Sequence, residues 1–179
     1  MTMVNETRVE FRRFEHDAAV REYSELWDAW KVVEAKAQPL STIAAVFLAG
    51  VFAFASQTSL TANLAVRALL VLLALLLVAA IMQALRSIWV VDVQSPHMGM
   101  ATKEEVDALM APDRGPTDSL HIRYENALSD TSRRWLEACD DIRPKLAKKV
   151  RLLTCSFKCL AAAAVVTLFL IATTLYCKA

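Results

Sequence analysis

Residues 68–85 read ALLVLLALLLVAAIMQAL, eighteen positions with no charge and one polar side chain, Gln83. A helix rises about 1.5 Å per residue, so the stretch reaches roughly 27 Å, close to the hydrocarbon thickness of a bilayer. It is too long and too uniformly apolar to be the buried stripe of a soluble helix. The bilayer becomes the solvent in which every other residue must be read.

On either side lie two weaker candidates. Residues 40–55 include Ser41, Thr42 and Gly50, and residues 160–176 sit at the lower length limit for spanning. The first two spans are separated by SQTSLTANLAVR, enough for a turn between antiparallel helices. Hydrophobic residues make up 56% of the chain and charged residues 22%, and the two are segregated into blocks. The net charge of +1 gives no case for nucleic-acid binding. With only 3 Gly and 5 Pro, the chain does not read as loop-rich or β-rich.

Lysine and arginine placement sets the expected orientation. Residues 1–39 carry six such residues and residues 86–159 carry twelve, against Arg67 alone in the turn and Lys178 alone in the tail. The positive-inside rule places the N-terminus and central region in the cytoplasm and the turn and C-terminus outside. The charged and aromatic residues before the first span argue against a cleavable signal peptide. The expected fold is an all-α integral membrane protein with three transmembrane helices. Its parts are a cytoplasmic amphipathic helix (1–39), a transmembrane hairpin (40–85), a cytoplasmic helical region (86–158), and a third span with its tail (159–179).

In residues 8–38, Phe14, Ala18, Tyr23, Trp27 (or Leu26), Trp30, Val33 and Ala37 recur at helical spacing, separated by charges of both signs. The tryptophans suit packing on another cytoplasmic helix better than headgroup depth, since they precede the span by two to three turns. Pro39 suits a helix's first turn or a kink. After a loop at 94–101, Thr102 and Glu105 match a capping box opening a short helix with Val106, Leu109 and Met110. The segment APDRGPTDS (111–119) reads as a flexible joint.

From Leu120 a long helix follows, capped by Thr117, Asp118 or Ser119. Its apolar stripe is Leu120, Tyr124, Leu128, Thr131, Trp135, Cys139, Ile142, Leu146, Val150 and Leu153. The mean step, about 3.67, predicts a straight or slightly right-handed bundle, and Pro144 should kink or split the helix. Lys145, Lys148, Lys149, Arg151 and Lys158 form a basic cluster at the membrane edge. It reads as topology enforcement or as a lipid-headgroup contact.

Catalytic and cofactor chemistry finds no footing. No P-loop, GxGxxG, HExxH or GxSxG is present, and no cofactor is expected. Asp140–Asp141 and Glu104–Glu105 occupy adjacent helical positions that point apart, while Asp28 and Glu34 suit ion pairing. Cys139, Cys155, Cys159 and Cys177 read as reduced packing residues, or as palmitoylation sites in a eukaryotic host. Cys155 and Cys159 lack two further ligands for a metal, and His16, His97 and His121 are distant in sequence. The spans hold no charge beyond Arg67 at one end, which argues against a proton relay or coupled transporter.

Two surfaces remain. Ser41, Ala45, Ala49 and Ala53, with Gly50 beside them, form a small-residue row that lets helices approach closely. In the third span Ala161 to Ala164 give a similar surface. Thr167 and Thr174 stand on one face, where they can line a narrow aqueous path in an oligomer or bond the carbonyls one turn back.

The segment Glu34-Ala35-Lys36-Ala37 directly before a two-span hairpin, and the basic helix DDIRPKLAKKVRLL feeding a last span, resemble a known arrangement. The chain is similar, over roughly Tyr23 to Tyr176, to the Pycsar transmembrane effectors of bacterial antiphage systems and the related SLATT domains. Pro144 is a departure, since the resemblance makes its helix continuous. The resemblance implies a homo-oligomeric, non-enzymatic effector that permeabilises the inner membrane when nucleotide-signalled defence is triggered. Its partners would be membrane lipids, further copies of itself and a nucleotide second messenger or signalling protein, with no nucleic acid. The alternative is a membrane scaffold that recruits a soluble partner through its cytoplasmic helices.

Overall fold

The computed structural model describes residues 2–56, 64–89, 92–93 and 117–176. Three helices account for nearly all of them: α1 (Thr2–Ala55), α2 (Leu64–Ile88) and α3 (Thr117–Tyr176). No strand occurs among the described residues. The expected loop at 94–101, the Thr102–Glu105 capping box with its short helix, and residues 111–116 of the joint lie outside them. So do Cys177 and Lys178, and the side chains of Thr117, Asp118, Ser119 and Leu120.

All three helices are long and apolar enough to cross a membrane, with window hydropathies of 1.7, 2.9 and 2.2 in chain order. Neither proline ends a helix. Pro39 lies inside α1 rather than in a first turn, and Pro144 lies inside an unsplit α3. A helix absorbs one missing N–H when its flanking turns are held by packing. The turns around Pro144 are held in this way, with Ile142 at 0% exposure and Lys149 at 2%.

The chain divides into two compact units, one of residues 1–29 and 91–145, the other of residues 30–90 and 146–179. In the first, α1 and α3 run parallel, because partners rise together in number. Arg8 pairs with Glu125, Ala19 O lies 3.9 Å from Cys139 Sγ, and Glu22 pairs with Arg143. Its centre is Ala19, Ala138, Cys139 and Ile142, with Tyr23 set edge-on to Trp135 at 5.1 Å. Tyr23 also stacks on Trp27 at 6.3 Å. Phe14 and Ala18, expected inside, are exposed, and Ala19 is buried instead. The inward face departs from the expected one only at this end of α1: Tyr23 is packed inward, and further along Trp30, Val33 and Ala37 are buried as the pattern predicts.

The second unit is a three-helix bundle. Eight residues (56–63) link α1 to α2, a reach of at most about 29 Å, while α2 itself is roughly 37 Å long. The link cannot return to the far end of α1, so the two helices are antiparallel. The core joins Ala44 of α1, Val66, Leu70, Leu73, Leu77 and Ala80 of α2, and Ala163 and Leu170 of α3.

The buried positions repeat in alternating steps of four and three. On α2 they are Val66, Leu70, Leu73, Leu77, Ala80, Ala84 and Ser87. On α3, Ser132, Cys139, Ile142, Lys149, Ser156, Ala163 and Leu170 fall on one such row. That is a period of 3.5, the heptad of a left-handed supercoil, and it corrects the predicted 3.67. The predicted stripe leaves that row at three places. Tyr124 is 39% exposed, and Ser132 is buried where Thr131 is expected. Val150, apolar and assigned inward, is 44% exposed, and its neighbour Lys149 is the buried residue.

Candidate functional site

The second unit contains the features from which a membrane activity can be built. The sequence marks α2 as the generic, lipid-facing span, but the structure places it at the centre. Of its most apolar window 28% is buried, against 11% for each of the other two helices. The reason lies in its second half, where Ala80, Ala84 and Ser87 form the small-residue row that its leucines conceal in the sequence. Ser87 Oγ donates to Ala84 O at 2.7 Å, and Ser156 Oγ of α3 donates to Ala80 O at 2.8 Å. A serine side chain reaches a neighbouring backbone carbonyl only where two helices lie close together.

Ahead of the spans sits a charged cluster. Lys149 Nζ is 2.5 Å from Glu34 Oε1 and 3.7 Å from the centre of the Trp30 ring. Trp30 Nε1 donates to the same Glu34 oxygen at 2.8 Å. The Lys149 side chain is 3% exposed, so its charge is neutralised within the unit by a carboxylate 115 residues earlier in the chain. Glu34 is the ion-pairing residue the sequence suggests.

Lys149 is thereby withdrawn from the proposed headgroup cluster, because its ammonium is enclosed. Lys145, in the first unit, bonds Asp141 at 2.7 Å and Asp92 O at 2.5 Å. Lys148, Arg151 and Lys158 are exposed. Asp140 and Asp141 point to different bases, Arg143 and Lys145, as their adjacent positions require.

The proposed packing row separates in the same way. Ala45, Ala49, Gly50 and Ala53 are exposed, and Ser41 is half-buried with its hydroxyl on Gln38 O. The chain's own contacts from α1 run instead through Ala44, Leu48 and Val51. Thr167 and Thr174 donate to Ala163 O and Ile171 O, each at 2.8 Å. Both line an apolar groove of about 520 Å³ between the three helices, with Leu70, Leu73 and Leu77 as its floor.

Among the described residues no group of three His, Cys, Asp or Glu side chains is placed to hold a metal. Cys139 is buried, Cys155 exposed and Cys159 between the two, all as free thiols. Burial pushes the Cys139 thiol above its ordinary value of 9.0, with Glu22 and Asp140 adding to the rise and Arg143 opposing it.

Below that ordinary value the thiol is neutral in folded and unfolded chain alike, so stability does not depend on it. Above it the unfolded chain ionises first, and stability falls as pH climbs toward the raised folded value. The melting temperature of the first unit should therefore drop as pH rises above 9.0, and Cys139→Ala should flatten that drop. Burial of Tyr23 raises its hydroxyl in the same direction from 10.0, so a remaining loss at higher pH is expected in the variant. An unchanged pH profile in Cys139→Ala would refute the assignment.

The Lys149 cluster and the α2 small row escaped the sequence reading because both hide among residues of unremarkable type. The heptad set by Val66, Leu70, Leu73 and Leu77, extended three steps further, would have found Ala80, Ala84 and Ser87. Nothing local marks Lys149. No protein family, curated protein or solved structure matches the chain.

Proposed function

We propose that the chain is a non-enzymatic membrane effector that assembles with copies of itself and permeabilises the bacterial inner membrane in nucleotide-signalled antiphage defence. In this reading the N-terminus and central region are cytoplasmic and the C-terminus is outside, as the lysine and arginine distribution requires. The observation that carries it is the exposed row Ala45, Ala49 and Ala53 on α1, left unused by the chain's own packing. Small residues facing outward from a span let a second helix approach closely, where packing rather than hydrophobicity drives association. Thr167 and Thr174 keep hydroxyl lone pairs that can meet water in an assembled path, and Lys148, Arg151 and Lys158 can meet anionic headgroups.

Induced expression, with and without a nucleotide-signalling partner, should collapse membrane potential. Ala49→Leu should abolish that collapse while leaving the chain folded in the membrane. A fully active Ala49→Leu would eliminate the assembly surface. The second reading, a scaffold for a soluble partner, is favoured by Phe11 and Phe14. They lie three residues apart on α1, outside the spans, 69% and 72% exposed. It predicts unchanged membrane potential on induction and loss of partner binding in Phe11→Ser.

A further inference from the structure

We infer that the groove among the three spans of the second unit seats one acyl chain of a membrane phospholipid. This rests on the reading of the helices as membrane-spanning and goes beyond the proposed effector role. The floor is the buried face of α2 at Leu70, Leu73 and Leu77, and Gly50 of α1 and Ala164 and Thr167 of α3 form the walls. Every lining residue lies within a span, so whatever fills the groove comes from within the bilayer. No hydrogen-bond donor is left to offer from its two threonines. Thr167 and Thr174 have already donated their hydroxyl protons to the α3 backbone.

The dimensions select the occupant. The groove follows α3 from Leu160 to Thr174, a rise of about 21 Å. Its volume of about 520 Å³ over that length leaves a mean cross-section near 25 Å². A helix with side chains is about 10–12 Å across, so a span of a second copy would cover the groove from outside without filling its floor. A polymethylene chain, whose carbons keep about 4 Å from their neighbours, needs only ~15–20 Å².

The mouth at the Leu70 end carries the matching charge. Arg67 is exposed on α2 one turn before Leu70 and is the single charged residue between Ser56 and Ala68. A guanidinium at that end of α2 suits the phosphate of a lipid seated in the groove, in the leaflet on the side of the hairpin connection. With the acyl chain in place, Thr167 and Thr174 face hydrocarbon. A water path lined by those hydroxyls therefore requires the lipid to leave.

The test is mass spectrometry of phospholipid retained by the full chain after extraction from membranes and exhaustive detergent exchange. The wild type should retain about one phospholipid per chain. Gly50→Phe and Ala164→Phe should lose most of it. A Cβ at Gly50 meets nothing within 4 Å, so the first substitution fills the groove without displacing backbone. Val165→Phe, at a lipid-facing position 52% exposed and outside the groove, should retain lipid as the wild type does. Arg67→Gln should lower retention of anionic phospholipid.

Wild type that retains none, or Gly50→Phe that retains as much as wild type at an unchanged melting temperature, would overturn the assignment. So would efficient cross-linking between chains at Leu73→Cys, on the buried floor, since a second copy would then occupy the groove. A chain that keeps its lipid but never collapses membrane potential refutes the effector role and leaves the groove assigned. A chain that permeabilises and retains no lipid does the reverse.

Discussion

Replacing Glu34 with alanine should destabilise the second unit by about 3–5 kcal/mol, the cost of leaving a buried charge without its partner. Lys149 would keep only the Trp30 face at 3.7 Å. A cation over an indole is worth about 0.5–2 kcal/mol, less than the several kcal/mol needed to hold an ammonium out of water. The indole N–H would also lose its acceptor, since Trp30 Nε1 donates to the same oxygen at 2.8 Å.

The opposite substitution should be mild. Lys149→Met keeps the aliphatic stem, removes the buried charge, and leaves Glu34 with 37% of its side chain open to water. Its cost should be within about 1 kcal/mol in either direction, because replacing a buried ion by an apolar group of similar volume is often neutral or stabilising. Glu34→Ala combined with Lys149→Met should then recover most of the loss. Thermal unfolding of the detergent-extracted chain measures all three. Equal losses in the two single variants, or no recovery in the double, would show that the pair is not a coupled unit.

The cluster also shows where sequence reading stops. A pattern search assigns helix faces by apolarity, and at positions 149 and 150 apolarity points the wrong way. Lys149 is inward because a residue 115 positions away neutralises it, and no window along the chain contains that information. Val150 taken in its place leaves the row by one residue there, and the extra residue that stretches the mean step enters further back, where Tyr124, 39% exposed, is taken instead of the half-buried Glu125. Phe14 fails for a related reason. An aromatic ring on an amphipathic helix attracts an inward assignment, although the burial row passes through Ala19 and Tyr23.

What was legible rests on long-range uniformity. Three stretches of apolar sequence need no partner to be recognised, and each became a helix long enough to span. Neither proline ended its helix, because a proline's effect depends on the packing of the turns around it, which sequence does not display. The small row of α2 was legible in principle, from heptad register alone. Leucine-rich composition obscured it, because hydropathy scores a span without asking which face is narrow.

That narrow face carries the second large effect. Ala84→Leu should disrupt the bundle at a cost of about 2–4 kcal/mol, from roughly 1–3 for overpacking and about 0.6–1.7 for a lost interhelical hydrogen bond. Ala84 is 0% exposed, flanked on its row by Ala80 at 1% and Ser87 at 0%. Ser156 Oγ reaches Ala80 O at 2.8 Å, so α2 and α3 approach too closely for a larger side chain between them. Leucine would force them apart and break that bond. Val78→Leu, at a position 45% exposed on the same helix, adds hydrocarbon toward lipid and should change the melting temperature little. In a bilayer the surroundings are as apolar as leucine, so the difference between these two variants measures packing and not hydrophobicity. An Ala84→Leu chain that melts with the wild type would mean that α2 is not the packing centre. In that case the exposed faces of α1 and α3 would no longer be the surfaces left free for lipid and for a second copy.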